Sequence, residues 1–160
     1  MNVILASTST LYGTAYLEYL KDELIALYKG IEEIIFIPYA RPGGISHDEY
    51  MERAKSFFEK IDIRVKGLHE FSAPAEALKN AQGFFTGGGN TFVLVKQLHK
   101  NNLMNVLRDE VLKGKPYLGC SAGSNIGGIS MQTTNDMPIV YPPSFETLGL
   151  VPFNLNTHFI

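Results

Sequence analysis

The sequence has one cysteine, no tryptophan and no surplus of either charge. A lone Cys120 excludes an internal disulfide framework and a cysteine-rich zinc site. It also suits a reducing compartment. Lys and Arg number 14 against 16 Asp and Glu, a net charge of −2. Nucleic-acid binding through charge needs clustered basic residues, so this balance argues against it. Long hydrophobic runs are missing as well. Stretches such as Ile34 to Ile37 fall far short of the roughly 20 residues a membrane span requires. The opening Met1-Asn2-Val3-Ile4-Leu5-Ala6-Ser7 has no basic stretch ahead of a long apolar one, so no secretory signal is expected. The expectation is a soluble cytoplasmic protein with no membrane or nucleic-acid partner.

What is present is an ordinary core-forming composition. The chain has 160 residues, of which 45% are hydrophobic. That is enough for one domain over residues 1–160 with a sizeable buried core. Short apolar runs alternate with stretches of helical period. Strands are expected at Val3–Ala6, Glu33–Tyr39, Ile63–Leu68, Gly83–Thr86 and Pro116–Gly119. Helices are expected at Leu11–Tyr28, His47–Ile61 with Ser46 as cap, Pro74–Asn80, from Asn90 or Thr91 to His99, and Leu103–Lys113. A short helix at Pro143–Leu148 and a last strand over Gly149–Thr157, ending at His158, complete the reading. Continuous rather than alternating apolar strands imply an α/β fold: a mostly parallel sheet with helices on both faces. Ligands of such sheets bind beyond the C-terminal strand ends.

Two glycine-rich strand ends therefore point to one edge. Gly119-Cys120-Ser121-Ala122-Gly123 has the form G-x-S-x-G between a strand and a helix. The tight turn pushes the central residue out over the sheet, and the flanking glycines let strand and helix approach. Ser121 sits at that centre, and Cys120 lies one step off it. A serine needs a base. Of the four histidines, His47, His69 and His99 have no polar cluster around them in sequence, whereas His158 ends the last expected strand. Asp136, in the polar loop Thr133–Met137, is the candidate to orient the imidazole, with Glu146 as the other nearby acid. Gly87-Gly88-Gly89 ahead of Asn90 offers backbone N–H groups to an anion, either a phosphate or an oxyanion. Neither the dinucleotide nor the nucleoside-triphosphate glycine pattern is present. An oxyanion hole shared by the N–H groups of Gly89 and Ala122 is the reading preferred. Arg41 follows an expected strand and could reach the same edge.

Taken together, four segments resemble the S51 serine peptidases, the peptidase E family of α-aspartyl dipeptidases. They are Gly87-Gly88-Gly89-Asn90-Thr91-Phe92, Gly119 to Asn125, Thr133 to Val140, and Asn156-Thr157-His158-Phe159. The likeness extends to Ser7-Thr8-Ser9-Thr10 and Ile35 to Ala40. It implies a fold like the class I glutamine amidotransferase domain. It implies a small peptide substrate with an N-terminal aspartate, and neither metal nor cofactor. By resemblance Ser121 is the nucleophile, His158 the base and Asp136 the orienting acid, with a later glutamate as the family's other option. Gly88, Gly89 and Asn90 line the site, and Asn90 helps to hold substrate. Family members are longer, so the expectation is that the chain lacks their C-terminal portion, including a lid and a basic reader of the aspartate. Two alternatives stand beside this one. One is an inactive remnant that binds or assembles through a sheet edge. The other is a hydrolase with Cys120 as an amidotransferase-like nucleophile. The oligomeric state stays open.

Overall fold

Continuous β-branched and aromatic runs cannot leave one face in water, so they pair as strands covered on both sides. In the computed structural model, which describes residues 1–158, five strands form one sheet. They are β1 (Val3–Ala6), β2 (Glu33–Ile37), β3 (Arg64–Gly67), β4 (Phe84–Thr86) and β5 (Tyr117–Cys120). Their order is β1-β5-β4-β2-β3, and every pairing is parallel. Alternate side chains serve two cores. Ile35, Ile37, Phe84 and Tyr117 pack in the core that includes residues of α3 (Pro74–Asn80), α4 (Thr91–Lys100) and α5 (Met104–Leu112). Ile34, Phe36, Phe85 and Leu118 pack on the other face with residues of α1 (Lys21–Leu27) and α2 (His47–Phe58). Only β3, at the edge, alternates exposed and buried positions. Phe159, the last residue of the fourth motif segment, lies outside the described residues.

Helix starts follow their caps. The Ser46 hydroxyl accepts the Glu49 N–H, and the Glu49 carboxylate accepts the Ser46 N–H, a reciprocal box that opens α2. Pro74 opens α3 where its missing N–H costs nothing. Asn90 caps α4 by accepting the Val93 N–H. Among the described residues no helix is long and apolar enough to cross a membrane.

Three expectations give way. The helix expected over Leu11–Tyr28 forms only as a 3-10 turn at Glu18–Leu20 followed by α1. Ahead of it, Gly13 and Leu17 have positive φ, and the Thr14 hydroxyl exchanges hydrogen bonds with the Leu11 backbone. These local bonds compete with helix. The helix expected at Pro143–Leu148 is irregular chain with one antiparallel bridge, Ser130 to Glu146. The strand expected over Gly149–Thr157 is also absent. The N–H groups of Gly149, Leu150 and Val151 go to the carbonyls of Gly128 and Gly127, and Pro152 has none to give. The tail is therefore tied to the chain beyond β5, not to a strand edge.

Candidate active site

β4 and β5 are neighbours, with Thr86 opposite Gly119, so the segments leaving them start side by side. β5 runs into Ser121 and then the short helix α6 (Ala122–Asn125). Ser121 has φ 53° and ψ −113°, a conformation that side chains rarely adopt. Its N–H is held by the Ala6 carbonyl at 3.0 Å. The two flanking glycines are required by space. A Cβ on Gly119 would overlap the Gly123 carbonyl, and one on Gly123 would overlap the Thr86 carbonyl. Strand and helix approach so closely that the serine is forced outward, with the strain held by the packing around it.

The imidazole arrives from the tail. His158 Nε2 lies 2.9 Å from Ser121 Oγ. For the serine to donate, the ring must carry its proton on Nδ1. His158 also has positive φ, 58°, and it sits on a turn where a strand end was expected. Thr157 fixes that turn. It is buried, and its N–H reaches the Asn125 Oδ1 at 3.3 Å.

The glycine turn faces the same point. A Cβ on Gly88 would stand 3.0 Å from the Ser121 Cβ. Gly89 has φ 146°, and a side chain there would strike the Ala40 carbonyl. Among the described residues no acceptor takes the N–H of Gly88, Gly89 or Ala122. Asn90 is placed otherwise than expected. Its N–H goes to Ala40, its Oδ1 caps α4, and its Nδ2 donates to the Met137 carbonyl at 2.8 Å. It anchors two loops together, which leaves little of its amide for a substrate.

Asp136 is also placed otherwise. Its Oδ2 accepts the Thr91 N–H at 2.7 Å and the Thr91 hydroxyl at 2.5 Å, at the start of α4. Among the described residues no hydrogen bond joins it to His158. A carboxylate there answers unpaired N–H groups and the positive end of the helix. Glu146 does not replace it, since its backbone carbonyl is the part engaged, by His99 Nε2 at 2.8 Å. His69 and His47 are not isolated either. His69 Nε2 lies 2.8 Å from Asp48, and the two imidazoles meet edge to face at 5.4 Å. Among the described residues no group of three or more His, Cys, Asp or Glu is placed to hold a metal ion.

Asn125 and Thr91 were missed as site residues. Asn125 Nδ2 donates to the Thr91 hydroxyl at 3.0 Å, so one buried amide links the Asp136 loop to the His158 turn. The available signal was position, because Asn125 lies one helical turn after Ser121 and faces the same interior.

Cys120 is fully buried among the side chains under α1 and α2. Burial pushes its thiol up to about 12. At pH 8 the thiolate fraction is then about one part in ten thousand, too little for a working nucleophile. Iodoacetamide at pH 8 is expected to leave the folded chain unmodified and to alkylate Cys120 once it unfolds, as read by intact mass. Rapid alkylation of the folded chain would reinstate the thiol.

The profile of Peptidase family S51 matches residues 3–160. Peptidase E of Shewanella amazonensis is 45% identical over 163 positions, covering 99% of this chain and 68% of that protein. A Drosophila melanogaster protein named as a probable alpha-aspartyl dipeptidase is 43% identical over 162 positions, covering 99% of this chain and 66% of its own length. The crystal structure of a candidate peptidase E from Listeria monocytogenes EGD-e superposes with a TM-score of 0.72. It covers 96% of this chain and 76% of that one at 24% identity, a likeness of fold. The chain belongs to peptidase family S51.

Proposed function

We propose that the chain is a serine dipeptidase that removes an N-terminal aspartate from a small peptide. The observation that carries the reading is the 2.9 Å approach of Ser121 Oγ to His158 Nε2 at the tip of a strained turn. The names of the relatives, peptidase E and alpha-aspartyl dipeptidase, supply the substrate class.

Ser121 attacks the scissile carbonyl while His158 Nε2 takes its proton. The oxygen of the tetrahedral intermediate lies toward the free N–H groups of the Gly88–Gly89 turn and of Ala122, where each donor lowers the barrier by about 3 kcal/mol. His158 then protonates the leaving amine, and the C–N bond breaks. Water hydrolyses the aspartyl ester, with His158 as base again. Asp136 acts at one remove. It holds Thr91 and the start of α4, and through Thr91 and Asn125 it is connected to the turn that carries His158.

The test is hydrolysis of Asp-Leu, followed by release of free aspartate, with Leu-Asp as control. Asp-Leu is expected to be cut and Leu-Asp left intact. A fluorophosphonate is expected to label Ser121. A chain that cuts neither dipeptide and takes no label would defeat the reading.

A further inference from the structure

An imidazole that takes a proton from a serine works only while it is aimed, and a misplacement of about 1 Å can cost roughly 100-fold in rate. His158 is exposed, and among the described residues the hydrogen bond to Ser121 is the only one its ring makes. Its aim therefore comes from the backbone that carries it. We propose that Asn125 is the positioning residue for His158, its amide turned the right way by the Asp136 carboxylate through the Thr91 hydroxyl, an inference that rests on the dipeptidase reading of the Ser121 site.

Asn125 touches the supports of both partners. Its N–H donates to the Ser121 carbonyl at 2.9 Å. Its Oδ1 accepts the N–H of Thr157, the residue before His158, at 3.3 Å. Asn125 and Thr157 are both buried. The tail is held a second time at Leu155, whose carbonyl accepts the Thr133 hydroxyl at 2.6 Å. Loss of the Asn125 amide would therefore release the aim of the turn and leave the tail attached.

The direction of that amide is fixed by the polarity of its neighbours. An ionised carboxylate only accepts, and a threonine hydroxyl has one proton to give. Asp136 Oδ2 takes the Thr91 proton at 2.5 Å, together with the Thr91 N–H. The Thr91 oxygen is left as an acceptor. It faces the Asn125 Nδ2 at 3.0 Å and the Thr134 hydroxyl at 3.2 Å. The other amide proton of Asn125 meets the Thr134 oxygen at 3.3 Å. Both amide protons are thus committed to this side, and Oδ1 is turned toward Thr157. Half a turn of the amide would set Oδ1 against the Thr91 oxygen and Nδ2 against the Thr157 N–H. Two acceptors would then face each other, and so would two donors, in a buried place where neither pair finds water. The Asp136 carboxylate thereby selects the one amide direction that can hold the histidine turn, without a hydrogen bond to the imidazole among the described residues.

The experiment follows the rate at which a fluorophosphonate labels Ser121 in the full chain, because labelling needs the Ser121–His158 pair and no dipeptide. Asn125→Ala, Thr91→Val and Thr91→Ser are compared with the parent, alone and in a His158→Gln background, and thermal unfolding reports which variants are folded. Asn125→Ala is expected to label roughly 10- to 100-fold more slowly than the parent. Thr91→Val is expected to lose less, and Thr91→Ser, which keeps the hydroxyl, to recover most of that loss. In the His158→Gln background neither Asn125→Ala nor Thr91→Val is expected to slow labelling further, because no imidazole remains to be aimed. A merely structural role would carry its loss into that background. With Asp-Leu as substrate the loss is expected in kcat and not in KM. Should Asn125→Ala fail to fold, the two Thr91 variants decide the matter. Three results would overturn the proposal: folded variants that label as fast as the parent, a loss that persists in full beside His158→Gln, or a serine variant no better than valine. A parent that takes no label has no pair to position, and it would overturn the proposal together with the serine mechanism. Hydrolysis of Asp-Leu with labelling indifferent to Asn125 and Thr91 would remove the positioning role and keep the dipeptidase. Asn125-dependent labelling in a chain that cuts neither Asp-Leu nor Leu-Asp would do the reverse.

Discussion

Ser121→Ala is expected to lower the rate of Asp-Leu hydrolysis by roughly 10⁴- to 10⁶-fold while the chain stays folded. The size follows from what is removed. Without the hydroxyl there is no acyl-enzyme, and His158 faces a methyl group where it now faces Oγ at 2.9 Å. What remains is binding and the N–H donors of the glycine turn, which accelerate attack by water only weakly. His158→Gln is expected to fall into the same range, and the double variant to be no slower than either single one, because the two groups act as a unit. Stability gives a second reading of the same site. Ser121 holds φ at 53°, which alanine tolerates no better than serine. Ser121→Gly relieves that strain and is expected to be more stable than Ser121→Ala by about 1 kcal/mol, though equally inactive. Initial rates and thermal unfolding of the variants check both statements. An alanine variant retaining more than a hundredth of the parent rate would remove Ser121 from the chemistry.

The sheet could be read from the sequence because its strands are buried on both faces. Glu33–Ile37 is a run that only a covered central strand accommodates, and the structure places β2 between β3 and β4. The glycine-rich ends were legible for a similar reason, since a residue that must lack a Cβ is visible as a letter. What failed was long-range or local competition that periodicity cannot see. Leu17, Leu20, Leu24 and Leu27 carry a helical spacing, yet Leu17 itself has φ 58° and ends the turn region before the helix begins. Residues 149–157 have a strand-like pattern, but the N–H groups of Gly149, Leu150 and Val151 are taken by Gly127 and Gly128, twenty-odd residues earlier. Asp136 shows the limit most clearly. Its loop and its charge could be read, but its partner, the start of a helix 45 residues earlier in the chain, could not. Sequence position suggested an imidazole, and the fold supplied a helix N-terminus.

Gly123→Ala is the substitution expected to cost most in stability. The added methyl would meet the backbone carbonyl of Thr86 with the Thr86 side chain close behind, so no rotamer change can make room. Relief requires β4 and α6 to separate. That pulls apart the packing of Gly119 against Gly123 and the Tyr117 hydroxyl, which donates to the Gly123 carbonyl at 2.7 Å. Overpacking against fixed backbone costs about 3 kcal/mol or more, a large share of a typical domain's stability. Activity is expected to vanish with it, because the Ser121 corner is set by the same contact. Gly149→Ala is the control. Gly149 also has positive φ, 59°, but nothing lies within reach of a Cβ there, so only the backbone penalty of about 1 kcal/mol applies. Denaturant unfolding should therefore separate the two alanines by roughly 2 kcal/mol or more, and dipeptide hydrolysis should survive only in the second. Equal stabilities would mean that the strand–helix contact is loose. A loose contact could not hold Ser121 in its strained conformation, and the turn would have to reach its reactive shape by some other constraint.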